Sequence, residues 1–394
     1  MKPLENIVKF GALSYVIICV FQAVLFPPNF LSSLDNYLFV FALINLMLIS
    51  YRTKEWRMIT LAFILFFLWS IFVEFSKNGM AAKSNLPYLL HFLKWPAILV
   101  TILSLKKELF FEKSSQFFID GLFFVIVSIN LMLLINPFGY GELMQNLFSP
   151  KPYSNFVFYN EFQNFRLVGT QMNPNDNAVI LSLFYLYYLI IDSKKWYFTV
   201  ILVAFILLTQ SRTLFILLII LTFLYLFIKL KKTITRKRFF QVGLVGMVLL
   251  TSVVLSSNNL RSIFTGGAFH SHSLQVRMDN FGNAINVNNS SLFFGNGVIN
   301  NPVERFGVHV DSEFIMVIIQ FGLVGLLLWG VILFAILKQF KLNSVGFLYW
   351  CVITLLVLGV SFTNFTFTHG NLGVAIVFAL GMASYHSKDR ELNQ

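Results

Sequence analysis

Charge is scarce in this chain. Only 12% of the 394 residues are Asp, Glu, Lys or Arg, about half the share of an ordinary soluble protein, which excludes a water-soluble globular fold. Cysteine is scarcer still: the two present, Cys19 and Cys351, both sit inside apolar runs, so a disulfide framework, a CxxC redox pair and a thiolate metal site are excluded. Also missing are a GxxxxGK[ST] loop, a GxGxxG turn after a strand and a DxD-type acidic pair, so nothing signals a bound nucleotide or a metal that would hold one. No internal repeat, low-complexity tract or soluble appendage interrupts the pattern, and residues 1–394 read as a single transmembrane domain.

What fills the chain is apolar. Hydrophobic residues make up 57% and aromatic residues 17%, with 47 Phe spread along the whole length, and mean hydropathy is +0.75. An all-α, polytopic integral membrane protein is the class in which this composition is ordinary. The apolar runs are continuous and do not alternate with period two, which excludes an outer-membrane barrel. Twelve stretches are expected to span the membrane: 8–26, 37–50, 58–75, 86–105, 117–135, 177–191, 196–210, 213–230, 239–256, 313–337, 345–362 and 371–385. Segments that would share one face, from the N-terminus through 51–57, 106–116, 192–195, 229–238 and 338–341 to 386–394, carry 20 of the 29 Lys and Arg. That face is therefore expected to be cytoplasmic, with both termini on it, in agreement with an even span count. The first stretch follows Lys2 and Lys9 and reads as a retained signal anchor. Topology also accounts for the +12 net charge, because the basic runs 229–232 and 236–238 suit anionic lipid at the cytoplasmic face and call for no nucleic acid.

Twelve spans of about 20 residues leave little chain over, and most of that remainder lies in two expected extracytoplasmic loops, 136–176 and 257–312. Loops of this length carry function or are disordered, and their mixture of Phe, Tyr, Gly, Asn and paired charges is unlike a disordered linker. They are expected to form folded caps over an outward-facing cavity. In the second loop, Leu274, Met278, Phe281 and Ile285 recur at helical spacing behind Ser273, so an amphipathic helix over about 273–286 is expected along the membrane surface. Arg277 and Asp279 fall off its apolar stripe. Lipid headgroup is as good a partner for Arg277 as a substrate is.

Three segments expected at the outer face then stand out. Arg166-Leu-Val-Gly169 leads into Asn173-Pro174-Asn175-Asp176-Asn177-Ala178 at the head of the sixth span. Gln210-Ser211-Arg212-Thr213 joins the seventh and eighth. Gly295-Asn-Gly297 is followed by His309-Val-Asp311-Ser312-Glu313-Phe314 at the head of the tenth, with Gly322 and Gly325 beyond. These residues in this order resemble the Wzy-type polymerases of O-antigen and capsule, members of a superfamily that includes the O-antigen ligases. The resemblance covers roughly residues 160 to 335; the first five spans add only matching topology.

Physical chemistry gives the pieces a shared purpose. A helix N-terminus offers unpaired N–H groups and a partial positive charge, so the heads of spans six and ten are potential anion sites. Arg166, Arg212 and Arg277 add forked, permanently charged donors matched to phosphate oxygens. Plainer roles exist for most of the same residues. Asn173, Pro174 and Asp176 are ordinary helix-start residues, as are Asp311, Ser312 and Glu313, and Arg212 can snorkel to lipid phosphate. His309 is neither a favoured cap nor a core requirement, and its imidazole exchanges protons near neutrality. With His270 and His272 it lacks the partner set of a zinc site. Lys94 lies some eight residues into the fourth span, with His91 one turn outward, and can reach toward a pyrophosphate or pair with Glu74 near the end of the third span.

The resemblance implies a reaction. A glycan on undecaprenyl pyrophosphate is transferred, at its reducing end, to the non-reducing sugar of the next lipid-linked repeat, at the outer face of a bacterial cytoplasmic membrane. Arg166, Arg212 and Arg277 would stabilise charge on the departing pyrophosphate. An acceptor hydroxyl benefits from a base, for which His309 ranks first, then Asp311, then Asp176 or Glu161. Asn175, Asp176, Ser211, Lys94 and Arg305 are the expected substrate contacts, and Tyr153, Phe156, Phe158, Tyr159 and Phe162 offer aromatic faces to sugar rings or to the membrane interface. No cofactor or metal is expected. The expected partners are the lipid-linked oligosaccharide, membrane lipid, a chain-length regulator and a flippase. Two alternatives remain at this stage: an O-antigen ligase, with the same donor and another acceptor, and a lipid-linked oligosaccharide flippase or other secondary transporter, which would place broken helices and paired charges near mid-membrane.

Overall fold

Uninterrupted apolar sequence coils into helices in lipid because only a helix satisfies every backbone N–H and C=O within its own segment. A computed structural model describes residues 2–25, 32–52, 54–104, 109–148, 166–171, 173–192, 195–230, 291–299, 312–338, 345–361 and 370–386, together with the single positions 279, 282, 283 and 286. Among the described residues there is no strand. The helices are α1 (Lys2–Leu25), α2 (Ser32–Arg52), α3 (Lys54–Asn78), α4 (Leu86–Ser104), α5 (Leu109–Ile135) and α6 (Pro137–Phe148). They are followed by α7 (Pro174–Leu186), α8 (Trp196–Leu208), α9 (Arg212–Leu230), α10 (Glu313–Leu337), α11 (Val345–Ser361) and α12 (Gly370–His386). Eleven of the twelve expected spans lie on these helices to within a few residues; the stretch 239–256 falls outside the described residues.

Segments of α1, α3, α5 and α10 are long and apolar enough to cross a membrane, and shorter apolar helices lie at 37–51, 196–208, 213–226, 346–361 and 372–382. Large apolar side chains are turned outward, among them Phe10, Phe72, Phe117 and Leu327. In water such faces would seek a partner; in lipid they are already solvated. The fold is that of a polytopic membrane protein.

Helix packing follows from what each face buries. α1 lies against α2 and α12, α4 against α2, α3 and α12, α10 against α3, and α11 against α9 and α12. Glycines allow three of these approaches: an added Cβ at Gly11, Gly359 or Gly381 would fall within 3 Å of Phe41, Leu217 or Ile102 respectively, the small-residue packing that membrane helices favour. Aromatic side chains fill the α3–α4–α10 junction, where Trp329 lies 5.6 Å from Phe66 and 5.3 Å from Trp95 between ring centroids.

At one end of the bundle α7 widens into a π-helical turn, Tyr187–Ile191, and its last residues meet α5. Tyr188 donates to Asp120 at 2.8 Å, and Lys195 bridges Asp120 at 2.5 Å and Asp192 at 3.1 Å. Burial pushes the Lys195 pKa down, but the bonds and charges of Asp120 and Asp192 outweigh it and hold the ammonium above its ordinary value. The other end, where α1, α3, α5, α8 and α11 finish and α2, α4, α7, α9, α10 and α12 begin, carries the candidate site.

The expected loop 136–176 is helical over Pro137–Phe148. Asn136 caps that helix, accepting from Gly139 N at 3.0 Å. Of the expected surface helix 273–286, the described positions are Asp279, Gly282, Asn283 and Asn286; all four are helical and exposed.

Candidate functional site

The strap 166–171 crosses the site end. Its backbone and side chains are tied directly to four helices, and through one of them to a fifth, by chemistry the sequence supplies. Leu167 N donates to Leu208 O at the end of α8 (3.0 Å). Asn177 in the first turn of α7 donates its amide to Leu167 O (3.1 Å) and to Asn130 Oδ1 of α5 (3.0 Å). Tyr140 of α6 donates to Gly169 O. Thr170 Oγ1 reaches Val24 O at 2.6 Å and Gln171 Nε2 reaches Ala23 O at 2.9 Å, both at the end of α1. Gly169 has φ of +54° and packs so closely that a Cβ there would sit 2.2 Å from Asn177 Oδ1.

Arg166 leads this strap. Its Nε donates to Thr209 O at 3.1 Å and its Nη2 to Asn175 Oδ1 at 3.2 Å. Thr209 belongs to the junction of α8 and α9, and Asn175 to the first turn of α7. One guanidinium thereby joins the head of α7 to the residue just before the Gln210-Ser211-Arg212-Thr213 segment. The head of α7 is built as its sequence suggests: Asn173 Oδ1 accepts from Asn175 N at 2.9 Å, Pro174 opens the helix and Asp176 lies buried in its first turn. This is a helix N-terminus with a positive side chain fixed beside it, an arrangement suited to anions.

The junction itself is three residues long. Gln210 takes φ of +53° to reverse the chain, an uncommon conformation for a non-glycine residue. Thr209 and Ser211 are both buried there, and Arg212 is the first residue of α9.

The third segment makes a separate assembly. α10 is interrupted at Gly322, with φ of 71° and ψ of −175°, and residues 291–299 run into the break. Where a continuous helix would pair its own groups, Asn296 N donates to Ile319 O (2.8 Å), Gly297 N to Gln320 O (3.0 Å) and Trp69 Nε1 to Phe321 O (2.8 Å). In return Leu323 N donates to Leu292 O at 2.9 Å and Val324 N to Phe293 O at 3.4 Å. Glu74 of α3, fully buried, accepts from Asn78 (2.8 Å), Asn85 (2.9 Å) and the N–H of Val298. Gln320 Nε2 donates to Ile299 O at 3.4 Å, and Tyr88 lies near Gln320 and Glu313. Ser312 does not use its hydroxyl as a cap; it donates to Ser361 O at 3.0 Å and fastens the head of α10 to the end of α11.

Of the expected site residues, Arg166 and Asn175 are bonded to each other, Asp176 lies next to Asn175, and Ser211 is buried two residues from Thr209. Lys94 is half-buried on α4. Arg277, Arg305, His309 and Asp311 lie outside the described residues, as do Glu161 and the aromatic group 153–162. Sequence reading did not single out Asn130, Thr209, Tyr88 or Gln320. A signal existed for two of them, since an amide within an apolar run is costly in lipid unless it is paired.

Among the described residues, one end of this apolar bundle gathers the Arg166 guanidinium and several side-chain amides. Residues 197–330 match the Wzy_C family, described as O-antigen ligase, in agreement with the O-antigen ligase/polymerase superfamily. The matched stretch runs from α8 through Gly330 of α10 and takes in Arg212, Arg277, Arg305, His309 and Asp311; the strap and the head of α7 precede it. The match supports a glycosyl-transferring enzyme of the O-antigen ligase/polymerase kind in polysaccharide biosynthesis. It gives no support to a flippase. No curated protein matches the chain.

Proposed function

We propose that the protein is a polymerase that joins undecaprenyl-pyrophosphate-linked oligosaccharide repeats at the outer face of the bacterial cytoplasmic membrane. The observation that carries this reading is Arg166, bonded to the first turn of α7 and to the α8–α9 junction. Its guanidinium and the helix N-terminus beside it are chemistry for a pyrophosphate, which leaves as the glycosidic bond to its sugar breaks and the acceptor hydroxyl bonds to the same carbon. Preorganised donors at a departing charge contribute several kcal/mol. Arg212 and Arg277 complete the electropositive mouth in this reading, and His309 or Asp311 takes the acceptor proton.

The matched family's own description favours a second reading, O-antigen ligase, in which the same donor meets a different acceptor. Polysaccharide from cells with and without the gene separates the two. Loss of polymer with survival of a single repeat selects the polymerase, whereas intact polymer retained on its lipid carrier selects the ligase. Under either reading, Arg166→Ala, Arg212→Ala and Arg277→Ala at normal membrane levels are expected to lower product at least about 100-fold. Long polysaccharide from all three variants overturns the mechanism.

A further inference from the structure

We infer that Asn177 and Asn130 are positioning residues for Arg166, acting through the backbone that follows it. The inference rests on the proposed role of Arg166 for its importance but not for its geometry.

Both asparagines are fully buried, one on α7 and one on α5. An amide in a membrane bundle is costly unless its polar atoms are matched, so two in contact call for a reason beyond filling space. Here the hydrogens of one amide are divided. Asn177 Nδ2 donates to Asn130 Oδ1 at 3.0 Å and to Leu167 O at 3.1 Å, while Asn130 Nδ2 donates to Ile126 O at 2.8 Å, one turn back on its own helix. Asn130 therefore orients the Asn177 amide, and the Asn177 amide holds Leu167.

Leu167 is held from its other side as well, because its N–H donates to Leu208 O. With both peptide groups of the next residue fixed, one to α7 and one to α8, the Cα of Arg166 has little freedom. Its side chain can then reach Asn175 on α7 and Thr209 after α8 together. Gly169 shows how closely the amide is packed, since any Cβ there would overlap it. Asn177 Oδ1 has no hydrogen-bond partner among the described residues. The amide is thus held for its donors, and its unmatched oxygen is a cost that a purely space-filling residue would not carry.

Leucine has asparagine's branching and number of side-chain heavy atoms and suits lipid better, and replacing a buried polar pair by apolar groups is often neutral or stabilising. A packing role and a positioning role therefore predict opposite ranks for Leu and Asp at position 130. A neutral carboxyl there can still accept from Asn177 and donate to Ile126, whereas Leu can do neither.

The test uses the full chain in membranes with Cys19→Ala and Cys351→Ala. Arg166→Cys is the reporter, labelled by a membrane-impermeant maleimide added from the outer side, in native, Asn177→Leu, Asn130→Leu and Asn130→Asp backgrounds. The same three substitutions with Arg166 intact are assayed for transfer from an undecaprenyl-pyrophosphate-linked repeat. Both Leu variants are expected at native membrane levels, with labelling at least tenfold faster and kcat at least tenfold lower. Asn130→Asp is expected within threefold of native on both readouts. Labelling of the Leu variants within twofold of native, or Asn130→Asp behaving worse than Asn130→Leu, overturns the inference. Faster labelling with undiminished transfer upholds the positioning and overturns the role given to Arg166.

Discussion

Two short stretches outside the α-helices enter the site end of this bundle, and they are fastened differently. Residues 166–171 are held mostly by side chains: the amides of Asn177 and Gln171 and the hydroxyls of Tyr140 and Thr170. Residues 291–299 are threaded into the gap at Gly322 by four peptide–peptide bonds, to which the side chains of Lys77, Glu74, Asn296 and Gln320 add one each. The first stretch presents a charged side chain and can be retuned one bond at a time. The second carries two glycines at positive φ where any added Cβ would overlap its neighbours, so its backbone has little room to shift. Side-chain fastening serves the candidate chemistry; backbone fastening serves the frame beside it.

The comparison is broken most severely at Gly322. A Cβ there would lie 2.2 Å from Phe293 O, on a backbone with φ of +71°, so Gly322→Val is expected to reduce protein in the membrane at least tenfold by immunoblot. Gly330→Ala in the same helix, where a Cβ meets nothing within 4 Å, should leave the level unchanged. Glu74→Gln is next. The carboxylate takes three donors, and an amide turns one of its two oxygens into a donor, leaving a buried mismatch of about 1–3 kcal/mol. Its measure is a lowered melting temperature in detergent, and an unchanged one would show that Glu74 does not anchor 291–299. The smallest effect is expected from Asn173→Ala, which removes the cap of α7 at about 1 kcal/mol. Transfer activity in this variant should stay well above that of Arg166→Ala, because the bond from Arg166 to Asn175 does not run through the cap.

What was legible in the sequence follows from the range of each interaction. Long apolar runs report helices directly, since the bilayer demands them, and the Asn-Pro start of α7 reports itself through neighbours two residues apart. The same Asn-Pro signature stands at Asn136-Pro137 and starts α6, inside a stretch whose composition reads as loop. The tie between Arg166 and Thr209 links positions 43 apart, and that between Glu74 and Val298 links positions 224 apart. No local pattern encodes either. Broken helices were expected only of a transporter, yet α10 is broken. Gly322 alone does not announce a gap, because glycine is common in membrane helices for packing reasons; the gap exists only when a second segment and Trp69 are there to fill it.

That dependence sets an order of assembly. The part of α10 before the gap, residues 313–321, is about 14 Å long at 1.5 Å per residue, less than half the hydrocarbon thickness, and its last three carbonyls find their donors on 296–297 and on α3. Until α3 stands in the bilayer and 291–299 has folded back, the lipid offers those carbonyls no donor, and only a continuous α10 would match them. The broken form of α10 is therefore completed only on a template that an early helix, α3, has already put in place.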